Sequence, residues 1–326
     1  MTPPPTIVVL GVEGLAPPRG LDRLSGRAAL RHTDAAGLAE ALPGSRALLM
    51  WDHFSPALPA VWPAAGSLEW IHVAAAGVDH LLFGELVDAP VTVTNSRGVF
   101  DGPIAEYVLA LLLAHVKDLR TTWADTAARR WHYREPVALA GGVAVVVGTG
   151  AIGRATARLL RAVGVTVRGV ARRARTGDPD FDEVVGAAAL TSVVADADHL
   201  VVTAPLTEAT RGLVDAAVLA ALPAHAHLVN VGRGPIVDTD ALVEALRDGR
   251  LAAASLDVTD VEPLPADHPL WDAPGVLVSP HCSGDVVGWR DRLAECFLAN
   301  AERFLDGRPL ENVVDKRAGF VPAGVA

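Results

Sequence analysis

Short apolar runs recur along the chain, at Thr6–Leu10 and then at 46–50, 70–74 and 91–94, with helix-like or loop segments between them. Runs of this length bounded by turn residues predict buried strands. Their alternation with helical stretches predicts a mostly parallel sheet covered by helices. A long helix is predicted over 101–120. A second series follows at Val143–Val147, 165–170, 199–203, 227–231, 252–257 and 276–279. Helical patterns separate these runs, for example over 238–247, where Asp238 or Thr239 caps the start. The chain therefore reads as two α/β blocks. A last helix over 286–305, ending at Asp306-Gly307, is expected to return to the first block, which would make that block discontinuous. The tail, 316–326, is expected to be loosely ordered.

Composition narrows the class. A length of 326 residues suits about two domains. The chain is 51% hydrophobic and carries net charge −10 from 28 basic and 38 acidic residues, a balance that argues against a nucleic-acid partner. Its two cysteines, Cys282 and Cys296, form no CxxC pair, so neither a disulfide scaffold nor a metal site is expected. Met1-Thr2-Pro3-Pro4-Pro5 lacks the basic and apolar regions of a signal peptide. The most apolar helical stretch, over 104–116, is interrupted by Glu106 and is too short to span a bilayer. No membrane partner and a cytoplasmic location are the resulting expectations.

Gly148-Thr149-Gly150-Ala151-Ile152-Gly153 follows the Val143–Val147 run and opens a helix. In that context GxGxxG is a dinucleotide fingerprint. Gly148 permits the tight turn, Gly150 lets backbone approach a pyrophosphate, and Gly153 lets helix and strand pack closely. The helix start, with Ala151 and Ile152, offers N–H groups and a positive dipole end to phosphate. In NAD-binding units an acid closes the next strand and holds the ribose 2′-hydroxyl. Here the 165–170 strand is followed by Ala171-Arg172-Arg173-Ala174-Arg175. Guanidinium groups favour a 2′-phosphate, so NADP(H) is preferred, with Arg172 the first candidate and Arg173 the second. The alternative is a solvated arginine face on a protein that uses NAD(H) as well.

Three further segments follow strands: Asn230-Val231-Gly232-Arg233-Gly234, then Asp257 with Glu262-Pro263, then Ser279-Pro280-His281. Singly, Arg233 reads equally as a helix-entry charge, Glu262-Pro263 as a turn, and His281 as a locally satisfied histidine. Together with the glycines and Thr203-Ala204-Pro205-Leu206-Thr207, they resemble the D-isomer-specific 2-hydroxyacid dehydrogenase family, from about Trp70 to Pro309. That family includes D-lactate, glyoxylate/hydroxypyruvate, phosphoglycerate, phosphite and formate dehydrogenases. The resemblance implies an α/β chain of two Rossmann-like doubly wound domains with a cleft between them. A flavodoxin-like substrate domain would cover 1–99, completed by 289–326, and a dinucleotide-binding domain would cover 100–288.

It also implies roles. Arg233 would bridge the carboxylate and carbonyl of a 2-oxo acid through its rigid fork. His281 would exchange a proton with the carbonyl oxygen, and Glu262 would accept the other imidazole N–H and fix the tautomer. Backbone N–H groups around Ala76, Gly77 and Val78 would meet the substrate carboxylate, although Asp79 there also fits an ordinary helix start. Asp257 would receive the nicotinamide carboxamide. Thr203, Ala204 and Pro205 would pass near the nicotinamide ribose, and Val231 and Gly232 would flank the ring. The acid at Glu262 points away from formate, whose dehydrogenases carry glutamine there. A homodimer through the 101–120 helix and neighbouring strands is expected.

Trp51, His53, Phe54, Phe100 and Trp289 are candidates for the pocket wall, each equally readable as ordinary core. Arg97 reads best as a surface residue, and Cys282 as an inert thiol with oxidation as the alternative. The favoured function is reduction of a small 2-oxo acid, glyoxylate or hydroxypyruvate. Alternatives are NAD-linked oxidation of a D-hydroxy acid or phosphite, and a dinucleotide-sensing interaction protein akin to the related corepressors.

Overall fold

The computed structural model describes residues 3–322. The chain divides into two compact units, one running up to Val99 and resuming at Val287, the other spanning Phe100–Val286.

In the first unit, β1 (Thr6–Leu10), β2 (Ala29–Thr33), β3 (Ser45–Met50), β4 (Trp70–Val73) and β5 (Thr92–Asn95) form one sheet in the order β2-β1-β3-β4-β5. Every pairing in it is parallel. Val8, Leu10, Leu48, Met50, Ile71 and Val73 pack on one face against Leu38, Leu42, Leu58 and Leu86. On the other face Trp70 stacks on Phe297 of the helix Trp289–Leu305, with ring centroids 5.5 Å apart. Both side chains are fully buried. That stacking is why the C-terminal helix belongs to this unit.

The second unit contains β6 (Val143–Val147), β7 (Thr166–Ala171), β8 (Glu183–Gly186), β9 (His199–Val202), β10 (His227–Asn230), β11 (Ala253–Leu256) and β12 (Val276–Val278). Their order is β12-β11-β10-β9-β6-β7-β8, again all parallel. The chain runs outward from β6 through β7 to β8, then returns to β9 on the opposite side. The β6/β9 boundary is therefore the switch point, where open α/β sheets bind ligands beyond the strands' carboxyl ends. Val145, Val147, Leu200, Val202, Leu228 and Leu256 pack against Leu242 and Leu246 of the helix Thr239–Arg247. Asp238, not Thr239, caps that helix by accepting the Ala241 N–H at 3.0 Å.

Several expectations change. β2 and β8 were not anticipated: β2 is an edge strand whose residues are mostly exposed, so it carries no apolar run. β8 is an edge strand of four residues. The 101–120 helix is two helices, Asp101–Val116 and Leu119–Ala127, because Asp118 adopts a left-handed conformation at φ 48°. The last helix starts at Trp289 rather than 286, after Gly288 at φ 83°. The described part of the tail is tied down. Lys316 Nζ donates to Leu86 O (2.9 Å), and the Ala318 N–H donates to Asp315 (3.0 Å). Residues 323–326 of that expectation lie outside the described residues.

Candidate functional site

The candidate residues of the second unit lie in loops that leave the carboxyl ends of β6, β7 and β9 to β12. Their left-to-right order is set by the sheet, not by the chain.

At β6, Gly148 turns the chain with φ 103°, and a Cβ there would lie 2.6 Å from Ala204 N. The β6 and β9 loops therefore touch backbone to backbone. Thr203 Oγ1 donates to Gly148 O at 2.9 Å and reinforces this contact. A Cβ on Gly153 would sit 1.9 Å from Gly148 O, so the first turn of the helix Ala151–Ala162 rests directly on the turn before it. Gly150 caps that helix without any side-chain hydrogen bond, and a Cβ on it would meet open space. Among the described residues the first turn, with Ala151 and Ile152, thus has no side-chain cap. Uncapped donors, a positive helix end and room for close approach fit a dinucleotide pyrophosphate.

At the end of β7, Arg172 and Arg173 are exposed, and Ala171 brings no carboxylate to that position. Among the described residues neither arginine has an acidic partner. Arg175 does: its Nε donates to Asp178 at 2.7 Å.

At β9 and β10 the loops meet again. A Cβ on Gly232 would be 2.8 Å from Ala204 O, so Thr203-Ala204-Pro205 and Val231-Gly232 form adjoining walls. Asn230 ties the turn by accepting the Gly232 N–H and donating to Arg233 O, both at 3.0 Å. Arg233 follows, half-buried, with its guanidinium donating to Gly232 O at 2.8 Å. A Cβ on Gly234 would lie 2.0 Å from the Thr259 carbonyl carbon, so only glycine lets the Arg233 turn close on the β11 loop that carries Glu262.

Glu262 is placed by two donors. Its Oε1 accepts the Thr259 N–H at 3.0 Å, and its Oε2 meets His281 Nδ1 at 2.7 Å. Burial pushes its carboxyl up, but the His281 and Thr259 hydrogen bonds and the charges of His281 and Arg233 outweigh it and hold the pKa below the ordinary value. Glu262 is therefore ionised and can only accept, so His281 Nδ1 carries the hydrogen. Proton exchange with a ligand then falls to Nε2. The side chains of His281 and Glu262 are 31% and 35% exposed, so the pair is open to a ligand.

His281 itself sits at φ 51°, a conformation uncommon for a residue with a Cβ. Asp257, 1% exposed, imposes it. Its backbone carbonyl accepts the His281 N–H at 2.9 Å. Its Oδ1 accepts from Ser279 Oγ (2.6 Å) and the Cys282 N–H (3.0 Å), and its Oδ2 accepts the Ser283 N–H (3.0 Å). Of the roughly four acceptor positions of a carboxylate, three thus hold the His281 turn. Tyr107, from the helix Asp101–Val116, reaches the same cluster. Its hydroxyl is pushed up by burial, against a hydrogen bond with Ser279. Burial, then the charges of Asp257 and Asp285, raise the Cys282 thiol, which disfavours the reactive thiolate.

Ala76, Gly77 and Val78 lie in the first unit after β4, where Asn95 Nδ2 donates to Ala76 O at 2.5 Å and Val78 is buried. Arg97 reaches the backbone oxygens of Val321 and Pro322. Trp51 is core, with its indole N–H donating to Ala16 O at 2.8 Å, while Phe54 is exposed and Phe100 buried. Trp289 lies under the Arg290 guanidinium, 4.6 Å from its ring centroid. Reading the sequence missed Gly234, Thr259, Ser279 and Tyr107 as site-forming residues. Gly234 and Ser279 stand inside the quoted motifs, but nothing local marks Thr259, which acts through its backbone N–H.

Residues 109–283 match the family model for the NAD binding domain of D-isomer specific 2-hydroxyacid dehydrogenase. The glyoxylate reductase of Thermofilum pendens is 32% identical over 268 residues, covering 78% of this chain and 77% of its own. The structure is similar to that of a D-isomer specific 2-hydroxyacid dehydrogenase from Xanthobacter autotrophicus, solved with NADPH and MES. The TM-score is 0.81 at 31% identity, covering 96% of this chain and all of the other. It is also similar to an NADPH-dependent glyoxylate/hydroxypyruvate reductase from Sinorhizobium meliloti, solved with NADP and sulfate. There the TM-score is 0.83 at 28% identity, covering 98% of this chain and 100% of that one.

Proposed function

Because the chain belongs to the D-isomer specific 2-hydroxyacid dehydrogenase family of oxidoreductases, we propose that it reduces a small 2-oxo acid, glyoxylate or hydroxypyruvate, with NADPH as the preferred cofactor. The observation that carries this reading is the 2.7 Å pair of His281 with an ionised Glu262, beside Arg233 on the same sheet edge. The nicotinamide, when bound, supplies the hydride for reduction. Arg233 binds the carboxylate and the carbonyl oxygen of the substrate and orients the carbonyl carbon. His281 Nε2 gives its proton to the carbonyl oxygen, and solvent restores it. Glu262 stabilises the imidazolium form and keeps Nδ1 as the bonded nitrogen.

The choice of NADPH rests on Ala171 replacing an acid and on the exposed, acid-free Arg172 and Arg173. The NADP(H) complexes of two relatives favour it too. A homodimer is part of the reading: Trp123, Trp131, Tyr133 and Val137 are all exposed, apolar surface that a second copy would bury. No helix among the described residues is long and apolar enough to cross a membrane.

The test is a panel of 2-oxo acids, including glyoxylate, hydroxypyruvate, pyruvate and phenylpyruvate, assayed with each reduced cofactor. Turnover greatest with the two small substrates and NADPH is expected. Absence of turnover with every acid overturns the reading, and a clear preference for NADH overturns its cofactor half. Sedimentation of a monomer would refute the dimer.

A further inference from the structure

The loop between β7 and β8, residues 172–182, carries Arg172, Arg173 and Arg175 together with Asp178, Asp180 and Asp182. Such a segment is balanced in charge. Left to itself it would pair its own acids with its own arginines and present little positive charge to a ligand. The fold limits this by drawing the acids onto the neighbouring helix, so that among the described residues only Arg175 of the three loop arginines is paired within the loop.

Asp178 accepts both terminal nitrogens of Arg154 at 2.9 Å, the Nε of Arg175 at 2.7 Å and the Asp180 N–H at 3.0 Å. Asp180 accepts from Arg154 at 2.8 Å and from Arg158 at 3.3 Å. Asp182 accepts the Val167 N–H at 2.8 Å and pairs with Arg161 at 3.3 Å. Arg154, Arg158 and Arg161 recur at spacings of four and three on one face of the helix Ala151–Ala162, the helix whose first turn forms the phosphate cradle. The loop is also closed by backbone: the Arg175 N–H donates to Val184 O at 3.1 Å. Asp178 is the most deeply engaged of the three acids, its side chain 3% exposed. Burial pushes its carboxyl up, yet the hydrogen bonds from Arg154 and Arg175 bring it down to about 2, so it stays charged.

We propose that Asp178 is a positioning residue for cofactor choice: by clasping Arg154 and Arg175 it holds the loop against the dinucleotide helix and leaves Arg172 and Arg173 unneutralised for a 2′-phosphate. It rests on the NADPH reading above and deepens it. The clasp lies on the β7 side of the switch point, away from Arg233 and His281, which follow β10 and β12. Its effect is therefore confined to the phosphorylated ribose. An isosteric loss of its charge weakens the grip on Arg154 and Arg175 and frees the loop to shift.

The experiment measures dissociation constants for NADPH and NADH by nicotinamide fluorescence. Displacement by adenosine 2′,5′-bisphosphate and by 5′-AMP is measured in parallel. Both are applied to the parent, Arg172→Ala, Asp178→Asn and Arg175→Gln. Asp178→Asn is expected to weaken NADPH and the bisphosphate about tenfold, the loss of roughly one charge-assisted contact, while leaving NADH and 5′-AMP unchanged. Arg175→Gln is expected to act in the same direction to a smaller extent, and it decides alone should Asp178→Asn not be recovered folded. A parent that selects NADPH, with that selectivity unchanged in Asp178→Asn whether affinity is kept or falls equally for both cofactors, overturns the proposal. A parent that binds both cofactors alike and ignores Arg172→Ala overturns the NADPH reading itself, and the proposal with it.

Discussion

Replacing Glu262 by glutamine preserves the size of the side chain and removes the charge beside His281. In the parent, two oxygens serve two donors: Oε1 takes the Thr259 N–H at 3.0 Å and Oε2 takes His281 Nδ1–H at 2.7 Å. Glutamine has one acceptor and one donor end. If its carbonyl serves Thr259, its NH2 faces Nδ1 and forces the proton to Nε2, so the imidazolium loses its partner. If its carbonyl serves His281, the NH2 confronts the Thr259 N–H and the loop must shift. Either way a hydrogen bond involving a charged group is lost, worth about 1.5–3 kcal/mol. Realised in the transition state, that is a fall of roughly 10- to 150-fold in kcat/KM for 2-oxo acid reduction. The assay follows loss of nicotinamide absorbance with glyoxylate and hydroxypyruvate, alongside NADPH binding to the folded variant. Binding should be preserved, because Glu262 belongs to the β11 loop and the glycine turn to β6. A variant that keeps the parent's kcat/KM would refute the reasoning, since no carboxylate would then be needed to hold His281.

Other outcomes follow from the same geometry. Arg233→Lys removes the fork that meets carboxylate and carbonyl together and should lower kcat/KM by about 10- to 100-fold; steady-state kinetics check it. Gly153→Ala forces a Cβ to 1.9 Å from Gly148 O. The resulting backbone shift should cost about 1–3 kcal/mol and weaken cofactor binding, read by thermal unfolding and fluorescence titration. Asp257→Asn puts a donor either against Ser283 or against the Ser279 and Cys282 donors, whichever way the amide turns, so kcat should fall more than KM changes. The buried histidines make stability depend on pH. Desolvation lowers His72 to about 3 and His199 to about 4, and it also lowers His227. These groups stay neutral in the folded chain while the unfolded chain binds protons below about pH 6.5. Stability is therefore complete above that value and declines as pH falls toward about 4 for His199 and about 3 for His72. Between about pH 7.5 and 5.5 each fully buried histidine should cost about 1.4 kcal/mol. An unfolding midpoint in denaturant that does not move across that interval would contradict this.

The α/β class was legible because buried parallel strands have no polar face. Val143–Val147, His199–Val202 and His227–Asn230 stand out as runs, and each begins within a residue or two of its expected place. β2 was illegible for the same reason, since an edge strand with mostly exposed side chains carries no run, and β8 because its four residues are too few to stand out as one. The glycines were legible because backbone geometry is a local property. Gly148 with φ 103° and Gly153 packed on a carbonyl require the residue that has no Cβ.

Residue chemistry is written in the chain: an acceptor-only carboxylate, a forked guanidinium, a two-nitrogen imidazole, each just after a strand. Which of them meet is not. Arg175 stands in the same arginine cluster as Arg172 and Arg173, yet Asp178 holds it, and the Asp257 carboxylate holds the His281 turn. Those pairings depend on sheet order and on loops brought together from distant parts of the chain. Local pattern reports burial and backbone preference, whereas partner choice among like charges is a long-range outcome that only packing decides.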